Sequence, residues 1–104
     1  MARFDIYPNP IEPDRDEFPF VLEIQSDLLW RFSERVCIPL VRDGAIPGLT
    51  ERFNPALAVQ GQTVRLHPLG IAVFFVQELR DSTGSAKPQA LQIETAMDML
   101  LRGY

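Results

Sequence analysis

The sequence holds one cysteine and one histidine in 104 residues, which leaves little for nucleophilic, redox or metal chemistry. Cys37 has no partner in its own chain, so no disulfide framework exists and no oxidising compartment is implied. His67 alone cannot build a metal site of the usual ligand number without cysteine or carboxylate help. Long apolar runs are missing as well. The longest, Leu69 to Val76, is strand-sized and falls short of the roughly 18 to 20 residues a membrane span needs. The opening Met1 to Tyr7 has no basic region leading into an apolar stretch, so no signal peptide and a cytoplasmic location are expected. Clustered positive charge is also lacking. The ten basic residues are scattered singly and the net charge is −4, so direct binding to nucleic acid is not expected. The glycines are isolated at turns, which excludes a glycine-rich phosphate cradle.

What is present fits one globular domain spanning residues 1–104. Hydrophobic residues make up 46% and charged residues 23%, a balance that can bury a core without metals or disulfides and argues against bulk disorder. Residues 3 to 7 alternate apolar and polar, the period of a strand, with Phe4 and Ile6 on one face. Pro8, Pro10 and Pro13 lack the amide hydrogen a ladder needs, so residues 8 to 16 read as an exposed, stiff loop. Residues 18 to 25 read as a second strand, with Pro19 near its start, and residues 35 to 41 as a third. Residues 56 to 59 and 62 to 66 flank Gln60-Gly61, a hairpin signal. Residues 69 to 77 are apolar on both faces. They read as a central strand covered on both sides, or covered on one side and buried in a dimer on the other.

The period then changes. Over Pro88 to Leu101, Ile93, Ala96, Met97 and Leu100 fall at i, i+3, i+4 and i+7, the stripe of an amphipathic helix. Pro88 suits a first turn and Gly103 can cap the end. Short strands followed by one helix predict a mainly β, α+β fold: an antiparallel sheet or small barrel with a C-terminal helix.

No constellation of catalytic residues emerges. His67 beside Pro68 reads as a surface turn histidine, and Cys37 beside Ile38 as a small buried apolar residue without a basic partner. Asp14, Asp16 and Glu17 surround a proline-rich loop and read as a solvated charge run. No enzyme activity, cofactor or metal is therefore expected. Two features bear on binding. Leu28-Leu29-Trp30 follows a bend and either caps the core or lies exposed for a partner. Leu101, beyond the core stripe, with Arg102 and Tyr104, residue types enriched at hot spots, is either a frayed end or a binding tip.

Three blocks together resemble the CcdB family, toxins of bacterial toxin–antitoxin modules. They are Gln25-Ser26-Asp27-Leu28-Leu29, then Arg35-Val36-Cys37-Ile38-Pro39-Leu40, then the helix from Ile93 to Leu101 ending in a glycine-containing tip. The similarity runs from Phe4-Asp5-Ile6-Tyr7 to the terminus. It implies an SH3-like antiparallel β barrel with a C-terminal helix, assembled as a homodimer. It implies a toxin that binds the A subunit of DNA gyrase and traps the gyrase–DNA cleavage complex, serving plasmid maintenance. By position, the family's gyrase-contacting residues fall on Leu28, Leu29, Asp98, Leu101, Arg102, Gly103 and Tyr104. A cognate, partly disordered CcdA-like antitoxin would neutralise the dimer through apolar contacts helped by Arg31, Arg35 or Arg102. The family's tip is typically Trp-Gly-Ile, whereas this chain ends Arg102-Gly103-Tyr104, and Asp98 replaces an asparagine. The alternative reading is a CcdB-like binding protein that pairs with an antitoxin, and co-represses its operon, without poisoning gyrase.

Overall fold

The computed structural model describes residues 2–103. Its strands are β1 (Asp5–Pro8), β2 (Phe20–Glu23), β3 (Glu34–Arg42), β4 (Ala56–Val59), β5 (Gln62–Leu66), β6 (Ala72–Phe75) and β7 (Gly84–Ser85), followed by the helix α1 (Ala90–Arg102). All strand pairings are antiparallel. The order β4-β5-β3-β2-β1-β7 curls into a nearly closed, SH3-like barrel, with β6 added beside β3.

The long β3 is the spine of the sheet. One edge pairs with β2; the other is shared between β6 at its start and β5 at its end. Side chains alternate across a strand, so each strand serves two faces. Phe4, Ile6, Phe20, Leu22, Ile38, Leu40, Leu57, Val64 and Leu66 fill the main core, which α1 closes with Ile93 and Ala96. Tyr7, Val21, Cys37, Phe74 and Leu79 make a smaller second core on the opposite face.

The Gln60-Gly61 hairpin forms between β4 and β5, with both turn residues at positive φ (49° and 78°), as a two-residue turn of this hand requires. Pro8 is not in a loop as expected; it ends β1. Asn9 donates its amide to the Pro19 carbonyl, so Pro8 one residue earlier points its nitrogen away from β2, past the end of β7, where no ladder bond is lost. The helix starts two residues later than Pro88, which lies in a preceding 3-10 turn, Lys87–Gln89.

The segment 69 to 77 departs most from expectation. Pro68–Gly70 and Val76–Glu78 are 3-10 turns, and only Ala72–Phe75 is strand. That strand is not central: among the described residues it pairs with β3 alone. Phe74 packs into the second core with Ala72 against it, while Leu69, Ile71, Val73 and Phe75 are exposed. One face is covered and the other is bare.

Candidate functional site

The chain from Ile24 to Ser33 links β2 to β3 and carries most of the exposed apolar side chains near the helix end. Ser26 accepts the Leu28 amide on its Oγ and opens the 3-10 turn Asp27–Leu29. Asp27 accepts the Arg3 amide on Oδ1 at 2.9 Å, which ties the turn to the chain's first residues. Gln25 works at both ends of its amide. Its Oε1 accepts from the Val36 amide and its Nε2 donates to the Glu34 carbonyl, both at 3.0 Å. With the turn thus fixed, Leu28 is 89% and Trp30 67% exposed, and Leu29 and Phe32 are exposed too. They do not cap the core.

The turn faces the end of α1 across an open groove of about 460 Å³. Leu29, Ile24, Val36 and Ile71 line one part, Met97, Asp98 and Leu101 the other. A smaller depression, lined by Leu29, Phe32, Val36 and Val73 with Gln25 and Glu34, adjoins it and continues the apolar surface towards β6. Of the site residues named from sequence, Leu29, Asp98 and Leu101 therefore come together in one groove. Leu28 stands beside it, pointing into solvent. Arg102 and Gly103 form the helix end just beyond. Gly103 adopts φ +84° and donates its amide to the Asp98 and Met99 carbonyls, a helix cap that favours glycine. Arg102 Nε lies 3.9 Å from Asp98 Oδ1, an exposed i, i+4 pair. Tyr104 lies outside the described residues.

Sequence reasoning missed Phe32, Ile71, Val73 and Phe75. The signal was there in part: Leu69, Ile71, Val73 and Phe75 recur every second residue, the period of one strand face. Nothing in the sequence says which of the two apolar faces is left uncovered.

Beneath the loop lies a charged cluster. Arg35 is only 6% exposed, so of the three arginines expected to help antitoxin binding, Arg31, Arg35 and Arg102, it is not a surface cation. Its Nε lies 3.7 Å from Glu23 Oε2. Burial pushes the Glu23 carboxyl above its ordinary range, against the lowering pull of Arg35, with Asp5 and Asp27 adding to the rise. Among the described residues, Glu23 Oε1 has no hydrogen-bond partner. Burial pushes the Cys37 thiol up to about 12, helped by Glu23 and opposed by Arg35. Tyr7 is raised by burial, by Asp5 and by Glu23. A thiol so held is a poor nucleophile.

His67 differs from the surface residue expected. Its ring packs against Phe18 at 5.8 Å, and its Nδ1 is buried, without a partner among the described residues, beside a small pocket lined by Phe18, Pro39, Gly70 and Phe74. Among the described residues, no group of three or more His, Cys, Asp or Glu gathers to hold a metal ion, and no helix is long and apolar enough to cross a membrane.

No curated protein matches the chain significantly. A family model described as CcdB protein matches residues 3–103. A nearly closed antiparallel barrel with a C-terminal helix and a match over almost the whole length lead to one assignment: the chain belongs to the CcdB family of toxins.

Proposed function

We propose that this protein is a cytoplasmic toxin of a type II toxin–antitoxin module that binds the A subunit of DNA gyrase and holds the enzyme on cleaved DNA. The observation that carries this reading is the bare apolar surface around Leu29 and Leu101, built on a chain of the CcdB family. Several large apolar side chains left in water next to each other indicate a partner surface. No catalytic group is needed for poisoning. A ligand that binds the open, cleaved state of gyrase better than the closed one traps it by differential affinity alone.

The functional unit is a homodimer. The uncovered face of β6, with Val73 and Phe75 exposed on an edge strand, is the surface that pairing with a second copy would cover. A two-fold assembly presents two helix ends to a two-fold target. Leu28, Leu29, Asp98, Leu101, Arg102, Gly103 and Tyr104 are the residues proposed to meet gyrase. A partly disordered CcdA-like antitoxin neutralises the toxin by wrapping the dimer.

The Arg102-Gly103-Tyr104 tip favours a second reading, antitoxin pairing without gyrase poisoning, because a cation stands where the family's tip has a tryptophan. Purified protein incubated with gyrase and supercoiled plasmid separates them. Accumulation of linear, protein-linked DNA supports poisoning. Capture of antitoxin with no cleaved DNA and no retention of the gyrase A subunit supports the alternative.

A further inference from the structure

The loop between β2 and β3 poses a physical problem. Ile24 packs on the core at the loop's start, but Leu28, Leu29, Trp30 and Phe32 are all exposed, so no apolar plug anchors its second half to the barrel. A loop of this kind should collapse its side chains inward unless its backbone is held from below. Gln25, Ser26 and Asp27 tie down its first half, and the residue beneath its return is Arg35.

The guanidinium of Arg35 faces three carbonyls of the loop's return. Nη2 donates to Trp30 O at 2.9 Å, and Nη1 donates to Glu34 O at 2.9 Å and to Phe32 O. Glu23 Oε2 stands 3.7 Å from Nε on the other side and orients the group. A planar fork with five N–H donors can serve carbonyls in different directions; the single nitrogen of a lysine cannot span them from one position. Arg35 is buried and lines neither depression of the apolar surface, so it does not touch a partner docked there.

We propose that Arg35 is a positioning residue for partner capture: it fixes the 30–34 backbone so that Leu29, Trp30 and Phe32 are held outward, ready to dock. This rests on the reading of that surface as the gyrase-binding face. Pre-ordering a loop removes the cost of ordering it at encounter, so its loss slows association. Loss of a direct contact instead speeds dissociation.

The test compares the full-length parent, Arg35→Lys and the contact variant Leu29→Ala. Two readouts are used: amide hydrogen exchange, and association and dissociation rates with purified gyrase A subunit. Arg35→Lys keeps the charge beside Glu23. Its loop amides, 28 to 33, should exchange at least about tenfold faster while Ile38 and Leu40 stay protected, and its association should slow by about tenfold or more. Leu29→Ala should leave exchange as in the parent and raise the dissociation rate. A general loss of stability would instead raise exchange throughout the barrel. Unchanged loop exchange in Arg35→Lys, or unchanged association despite faster exchange, overturns the inference while leaving the gyrase reading intact. Failure of the parent itself to bind gyrase overturns that reading and the inference with it. Should Arg35→Lys lose protection at Ile38 and Leu40, the neutral double variant Glu23→Gln/Arg35→Gln, which leaves no buried charge unpaired, takes its place under the same expectations.

Discussion

Gly70 packs directly on Pro39. A Cβ at Gly70 would come 2.7 Å from Pro39 Cγ and 3.0 Å from His67 Cδ2. Pro39 is held in the middle of β3, and its ring can change only its pucker, with Cδ also close at 3.3 Å. The 68–70 turn would have to move, taking Ile71 and the start of β6 with it. Gly70→Ala is therefore expected to cost about 1–3 kcal/mol through overpacking. In a domain of this size each kcal/mol lowers the melting temperature by roughly 4–8 °C. An unchanged thermal unfolding midpoint would show that the turn yields freely.

Glu23 gives stability a pH dependence of unusual sign. Its carboxyl is raised in the folded state, first by burial, so the native chain holds this proton more tightly than the unfolded chain. The contribution is fully present below the unfolded value, near 4.5, and is lost as pH rises through the higher folded value. Arg35 does not depend on the carboxylate alone, because three carbonyls also accept from it. Glu23→Gln, which mimics the protonated acid, should therefore be at least as stable as the parent at pH 7 and should flatten the pH profile above pH 4.5. Denaturant titrations of both proteins between pH 4 and 8 measure this; a variant markedly weaker at pH 7 would contradict it.

Cys37 should be silent to thiol reagents in the folded protein. The side chain is fully buried, and its thiol is pushed up to about 12, so almost no thiolate exists at neutral pH and none of it is accessible. Labelling at pH 8 should proceed only through opening of the barrel, with a rate that falls as stability rises. Rapid stoichiometric labelling without denaturant would mean that the second core opens locally.

The sequence was most legible where local chemistry decides the structure. Gln60-Gly61 between two short apolar runs could be read because only residues tolerant of positive φ close so tight a turn. The helix was legible through Ile93, Ala96 and Met97, whose spacing is independent of the rest of the chain. β6 was not, because Val73 and Phe74 are equally apolar. Which of them is buried depends on β3 having room for one more strand and no layer beyond it. The role of Arg35 was likewise hidden. A charged residue at the start of a strand reads as solvated, and only the fold reveals the carbonyls and the carboxylate that admit it to the interior. Leu29 and Leu101 could be named through family resemblance, but their meeting in one groove is a product of the barrel closing under the helix.

Leu101 offers the cleanest separation of binding from folding. It is 72% exposed in the last turn of α1, so the core loses nothing when it changes. Leu101→Lys removes the apolar surface and places a cation near the helix C-terminus, where the helix dipole favours positive charge. The variant should melt within a degree or two of the parent or slightly above it, since surface changes of this kind stay within about 0.5 kcal/mol. If this side chain is a docking anchor, burying the new ammonium against a partner is unfavourable and the apolar contact is gone. Affinity for the gyrase A subunit should then fall by about thirtyfold or more, the scale of a hot-spot loss. Calorimetric binding beside thermal unfolding on the same sample decides the matter. Equal affinity at equal stability would remove the helix end from the binding surface and leave the 27–32 loop to act alone.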